Sequence, residues 1–81
     1  MAEYQGHPSW NAWNVALWIG SDEGLYRAAA EAFRTTRNAK AATTRFFEMT
    51  GLEGARTPDG ARYNRTSVTR AITGLEIERR K

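Results

Sequence analysis

Residues 10–20 constrain the fold of this chain more than any other segment. They read Trp-Asn-Ala-Trp-Asn-Val-Ala-Leu-Trp-Ile-Gly and include no charged residue. On a helix they form two apolar stripes on nearly opposite sides, Trp10/Trp13/Leu17 and Ala12/Val15/Ile19. A helix that is apolar nearly all round is normally buried on more than one side. The sequence therefore predicts a central helix in which Trp10 and Trp13 organise the core.

The residues that flank this segment predict where the first helix ends and the second begins. Ser9 is a suitable N-cap, and Gly20 suits the left-handed position that ends many helices. Ser21 then caps a second helix. The carboxylates of Asp22 and Glu23 fall in its first turn, where the helix dipole favours negative charge.

The second helix has the most regular apolar pattern in the chain. Its inward positions follow the i, i+3, i+4, i+7, i+8 spacing and are Leu25, Ala28, Ala29, Ala32 and Phe33. Glu23 precedes Arg27 by four residues, which is the favourable order for an ion pair on a helix. This pattern predicts an amphipathic helix with a charged outer face.

Residues 35–38 leave two alternatives, a break between two helices near Asn38 or one long helix that bends there. We favour two helices, with Asn38 as the cap of the third. The apolar stripe that follows consists of Ala39, Ala42, Phe46 and Met49. Gly51 is expected to end this helix, with Leu52 touching Phe47 in a Schellman-type close.

Thr57-Pro58-Asp59-Gly60 is a strong turn sequence, because proline presets the first central angle and glycine accepts the left-handed position after it. Such a turn pairs residues 56–57 with 61–62 in a hairpin. The flanks are short and polar, so a tiny hairpin and an ordered loop both remain open.

A last helix is expected after this turn, capped by Thr66 or Ser67. Its inward residues are Val68, Ala71, Ile72 and Leu75. The helix either passes Gly74 or stops there, which would leave residues 75–78 as a short strand. The fold class predicted is mainly α, a small single-domain bundle of three to four helices over residues 9–81 with or without a short β-hairpin around residues 55–63. A flexible lead-in of residues 1–8 precedes it.

The composition argues against an enzyme, a metal site and a cofactor site. The chain has no cysteine and a single histidine, His7, in the lead-in, so disulfides, thiolate zinc sites and a cysteine nucleophile are excluded. Asp22 and Glu23 are adjacent and cannot form a facing acid–base pair by themselves. The glycines match neither the dinucleotide fingerprint nor the phosphate-binding loop. We therefore expect no catalytic residues, no metal and no cofactor.

The chain has no segment that predicts membrane insertion or export. Its longest apolar run, residues 15–19, is far shorter than the roughly 20 residues that a membrane span requires. The N-terminus shows neither the basic region nor the apolar stretch of a signal peptide. A cytoplasmic location is the resulting expectation.

Charged and aromatic surface positions supply the candidate partner-binding residues. The formal net charge is +3. The basic side chains of the second helix and of the segment after it could contact phosphates, although Glu23 and Glu31 lower the positive charge of this face. Trp18 projects beside two asparagines on the polar margin of the first helix, and partly exposed tryptophans are enriched among binding hot spots. The candidates are Trp18, Asn11, Asn14, Arg27, Arg34, Arg37, Lys40 and Arg45.

Two segments resemble a family of small uncharacterised proteins from phages, plasmids and bacterial chromosomes. The first is the tryptophan-rich stretch of residues 10–26, with its acidic-glycine turn and Leu-Tyr, and the second is the turn of residues 57–60. The resemblance implies an accessory protein of a mobile element. It carries over no functional residue, because no activity defines that family.

Small cysteine-free domains of mobile elements often bind and block a host complex, as anti-CRISPR and antirestriction proteins do. By this analogy we expect a non-enzymatic inhibitor of a bacterial defence complex in the host cytoplasm, with CRISPR effector machinery as the first partner to test. The alternative is a small basic accessory protein that binds nucleic acid. The oligomeric state, monomer or dimer, is left open.

Overall fold

Four helices follow one another in the computed structural model, which describes residues 9–75 of the chain. They are α1 (Trp10–Ser21), α2 (Glu23–Arg34), α3 (Ala39–Thr50) and α4 (Arg65–Gly74). This confirms the mainly α class, with two helices rather than one meeting near Asn38. Within residues 9–75 the only β pairing is a single antiparallel bridge between Arg56 and Arg62. Of the two alternatives at the last helix, the structure shows that α4 ends at Gly74. The predicted lead-in with His7, and residues 76–78 of the alternative short strand, lie outside the described residues.

Asn38 and Gly51 bound α3 as the sequence predicts. The Asn38 side chain accepts a hydrogen bond from the Ala41 N–H at 2.8 Å. Gly51 adopts a left-handed conformation with φ of 70°, which glycine tolerates without steric cost. Ser9 likewise caps α1, since its hydroxyl accepts from the Ala12 N–H at 3.1 Å.

Two other predicted boundaries are wrong. α1 continues past Gly20 to Ser21, and the extended residue Asp22 both ends α1 and caps α2, because its carboxylate accepts from the Leu25 N–H at 3.0 Å. α4 begins after Asn64, whose side chain accepts from the Ser67 N–H at 2.8 Å. In both places several residues that cap well stand close together, and the backbone conformation decides among them.

The core lies between the four helices and the inner side of the loop that joins α3 to α4. Phe46 is its largest fully buried side chain. Around it pack small and branched residues, among them Val15, Ile19, Ala29, Ala32, Ala42, Val68, Ala71 and Ile72.

The expectation that Trp10 and Trp13 organise this core is wrong. Trp10 is 38% exposed, Leu17 is 41% exposed, and Trp13 is only partly buried. α1 instead turns its second stripe inward, Ala12, Val15 and Ile19. It packs against α2 and α4, and its Val15 and Ile19 share one core cluster with alanines of those helices such as Ala29 and Ala71. Small side chains allow helices to pack closely, and a core built around alanines suits valine and isoleucine better than indole rings.

No helix of residues 9–75 combines the length and the apolar character needed to cross a membrane.

Candidate functional site

Asn14 lies on the buried side of α1 and joins that helix to the turn of residues 57–60. Its side chain is 1% exposed, and its amide nitrogen donates to Asp59 Oδ2 at 2.9 Å. Its amide oxygen accepts from the Thr57 hydroxyl at 2.6 Å. Trp18 Nε1 donates to the same Asp59 oxygen at 2.9 Å. We call these four residues, Asn14, Trp18, Thr57 and Asp59, the latch.

The turn presents its two latch residues because its own backbone is closed by hydrogen bonds. The Thr57 N–H donates to the Ala61 carbonyl at 2.7 Å, and the Gly60 N–H donates to the Thr57 carbonyl at 2.9 Å. Gly60 adopts a φ of 99°, a conformation open to glycine but strained for other residues. The Thr57 hydroxyl also accepts from the Ala61 N–H at 3.0 Å. The conformation of the turn is therefore held by hydrogen bonds within the turn itself.

Asn11 makes a second connection, one turn earlier on α1. Its amide accepts from the Arg62 N–H at 2.7 Å and donates to the Arg62 carbonyl at 3.0 Å, as a neighbouring strand would. The amide nitrogen also reaches the Ser67 hydroxyl at 2.9 Å. Asn11 thus joins α1, the loop and α4.

Hydrogen bonds to the charged form set the electrostatics of the latch. The bonds from Asn14 and then Trp18 hold the pKa of the Asp59 carboxyl below its ordinary 3.8, against a smaller opposing effect of burial. Near the end of the same loop, burial and then the negative charge of Asp22 raise the pKa of the Tyr63 phenol. At neutral pH Asp59 is therefore ionised and Tyr63 is neutral.

The latch should weaken in acid. The pKa of Asp59 is lower in the folded than in the unfolded state, so its contribution is fully present above pH 3.8 and is lost as the pH falls through the lower folded value. Urea unfolding of the protein at pH 6 and at a series of pH values below 3.8 measures this loss. Asp59→Asn is the control, since it keeps the side-chain shape without the titration. An equal acid destabilisation in Asp59→Asn would show that other carboxylates cause it.

The three polar or aromatic candidates predicted on α1 all lie at these connections. The Trp18 indole N–H and the amides of Asn11 and Asn14 are engaged in hydrogen bonds within the protein. Their side chains position the loop on the helix. The turn signature predicts that residues 57–60 form a turn, but nothing in it indicates that α1 receives the turn.

The five basic candidates are spread over α2, α3 and the segment between them. Arg27 pairs with Glu23 on α2, and Arg45 pairs with Glu48 on α3 at 3.5 Å. Arg34, Arg37 and Lys40 are exposed. The Lys40 carbonyl accepts at 3.4 Å from Arg65, which also donates to the Thr44 hydroxyl at 2.7 Å. The carboxylates one turn away weaken the field of Arg27 and Arg45.

The sequence pattern did not indicate which apolar face α1 leaves outside. In the structure the stripe Trp10/Trp13/Leu17 faces outward, and we call it the α1 face. Elsewhere on the surface Tyr26 is 39% and Met49 is 41% exposed. Both stripes are apolar, and the polar margin of Asn11 and Asn14 lies between them, so the pattern alone does not identify the exposed stripe.

Both segments that carry the resemblance meet in the latch, since Asn14 and Trp18 come from the first and Thr57 and Asp59 from the second. The model of a family of unknown function, DUF7249, matches residues 1–79. The chain belongs to this family. Comparisons with curated proteins and with solved structures found no match. Among residues 9–75 no three histidines, cysteines or carboxylates lie together as a metal site would require.

Proposed function

We propose that this member of DUF7249 is a non-enzymatic protein that inhibits a bacterial defence complex by occupying the surface of one of its protein subunits. The α1 face makes the contact. The observation that carries the proposal is the exposure of Trp10 and Leu17 on one side of a single helix. Partly exposed tryptophans of this kind dominate the binding energy of many interfaces.

The α1 face fits a partner surface that is apolar and uncharged. Residues 10–21 contain no charged side chain, so the face offers no ion pair to an acidic or basic partner. Burying an apolar surface against another is favourable by roughly 25 cal/mol per Å². A charged partner surface would instead lose hydration without gaining an opposite charge.

The hydrogen bonds that join α1 to the loop and to α4 favour binding through the α1 face. Asn11 and the latch tie the inner side of the helix to the loop and to α4. A contact helix that is already rigid loses little conformational entropy when it binds. We therefore assign Trp18, Asn11 and Asn14 the task of holding the α1 face in place.

The class of partner rests on the resemblance to proteins of mobile elements. Defence complexes are the targets of many such small proteins, and we propose a CRISPR effector as the first target to test. Inhibitors that imitate DNA are strongly acidic, whereas this chain has a net charge of +3. Inhibition by covering a protein surface is consistent with that charge.

The test is the double substitution Trp10→Ala with Leu17→Ser, in phage plaque assays on hosts armed with CRISPR or restriction systems. The wild-type protein should raise phage survival on at least one armed host, and the double variant should abolish that gain. Tyr26→Ala with Met49→Ser is a matched control, because its aromatic and its aliphatic side chain are equally exposed. Circular dichroism checks that both variants remain folded.

Unchanged phage survival across a broad panel of armed hosts would count against the proposed function. A folded α1-face variant that inhibits as well as the wild type would refute the assignment of the contact surface. Loss of inhibition in both double variants would point to general surface damage and would equally contradict that assignment.

A further inference from the structure

Arg56 and Arg62 stand directly opposite each other on the solvent side of the loop. Hydrogen bonds from the Thr57 N–H to the Ala61 carbonyl and from the Tyr63 N–H to the Ala55 carbonyl flank this pair. It is therefore a non-hydrogen-bonded antiparallel pair, the type in which the two Cα atoms come closest.

Residues 55–57 and 61–63 form two short antiparallel arms. Side chains along each arm point alternately to the two sides, which explains why both arginines face solvent. Thr57, Ala61 and Tyr63, the neighbours that point to the other side, are buried, whereas Arg56 and Arg62 are exposed. Like charges placed opposite each other across a pair of strands repel and destabilise it. In this protein the two positive charges repel each other at the β bridge itself.

A different backbone carbonyl holds each of the two guanidinium groups. Arg56 Nη1 donates to the Gly60 carbonyl at 3.0 Å, and Arg62 Nη1 donates to the Gly54 carbonyl at 2.9 Å. Both acceptors belong to glycines with positive φ, one at the tip of the hairpin and one at its base. Within residues 9–75 the ion pairs are Glu23–Arg27 and Arg45–Glu48, so neither Arg56 nor Arg62 is neutralised by a carboxylate there.

We propose that Arg56 and Arg62 form a binding site for the phosphodiester backbone of a nucleic acid strand. Each guanidinium carries five N–H donors. One of them is used in the bond to the carbonyl, so the others can donate to an anion. A small single anion would require donors that converge on one point. Two fixed cations directed to opposite ends of a hairpin instead match an anion whose charges repeat along its length.

This site is independent of the proposed function, because it uses neither the α1 face nor a defence complex. It also differs from the basic residues of α2 and α3, where carboxylates one turn away compensate Arg27 and Arg45. The pair lies on the loop that Asn11 and the latch fasten to α1. The arginines are therefore presented on a rigid support.

The experiment measures binding of a fluorescently labelled single-stranded oligonucleotide by anisotropy, across salt concentrations, with Arg56→Gln/Arg62→Gln against the wild type. Removing two phosphate contacts should weaken binding about tenfold at low salt. The negative slope of the logarithm of the association constant against the logarithm of the salt concentration should become shallower by about 1.4. Arg27→Gln/Arg45→Gln is the matched control, with the same change of net charge, and it should keep most of the affinity. Arg56→Lys/Arg62→Lys, which keeps the charge, should recover part of the loss, and melting curves verify folding.

Equal losses in the two glutamine variants would overturn the proposal, because they would show an effect of net charge alone. Absence of oligonucleotide binding at low salt would also overturn it. Competition by inorganic phosphate as strong, per phosphate, as that by unlabelled oligonucleotide would show a site for a single anion. Competition by polyglutamate as strong as that by the oligonucleotide would show a site for acidic peptides, and either result would refute the assigned ligand.

Discussion

Replacing Phe46 with alanine should lower the free energy of unfolding by about 3–5 kcal/mol. The Phe46 side chain is fully buried and is the largest such side chain among the described residues. Its removal loses the transfer free energy of the ring and leaves a cavity that rigid helices cannot close. A domain of this size is stable by only about 4–12 kcal/mol. Urea unfolding followed by circular dichroism measures the change.

Trp10→Ala should destabilise the protein less than Phe46→Ala. The indole is larger than the Phe46 ring, but it is 38% exposed. Water fills the space that it leaves, and the expected loss is about 1–2 kcal/mol. A loss for Trp10→Ala as large as that for Phe46→Ala would mean that the tryptophan organises the core after all.

The second large effect is expected for Asn14→Ala, which should cost about 2–4 kcal/mol. Asn14 is buried and makes two latch bonds, to Asp59 and Thr57. Without it, the buried Thr57 hydroxyl has no acceptor, and an unsatisfied buried donor keeps its full desolvation penalty. Asn38→Ala is the matched control, since it removes a single exposed capping bond at the N-terminus of α3. It should lower the free energy of unfolding by about 1 kcal/mol.

A double-mutant cycle with Thr57→Val separates the latch bond from the general cost of each substitution. The two changes share one hydrogen bond, so their combined cost should fall short of the sum by about 1–2 kcal/mol. Hydrogen exchange at the Gly60 and Ala61 amides should accelerate in Asn14→Ala more than exchange in α2 and α3. Strict additivity, with uniform acceleration of exchange, would contradict a latch.

The sequence predicts the burial of Phe46 but does not predict the burial of Asn14. Helical spacing on α3 predicts the burial of Phe46, which the structure confirms, whereas Met49 of the same predicted stripe is 41% exposed near the end of the helix. Asn14 is a polar residue in an apolar helix, and local pattern places it on a surface. Its partners are 43 and 45 residues away in the chain, and no local rule reports contacts at that separation.

Elements governed by local chemistry were predicted well. The apolar spacing of α2, the Asn38 cap and Gly51 each depend on residues within a turn or two, and the structure confirms them. The Glu23–Arg27 pair is confirmed for the same reason. The caps at Asp22 and Asn64 were missed where neighbouring residues cap equally well and local chemistry does not choose between them.

The sequence by itself determined a mainly helical domain, the positions of its helices and the turn at residues 57–60, because propensity, capping and periodicity act over short distances. Only the tertiary structure decided which side of α1 is buried. Val15 and Ile19 share the core cluster with alanines of α2 and α4, and close packing among such small side chains favours them over the indole rings. The same packing places Asn14 against Asp59 and leaves Trp10 and Leu17 exposed.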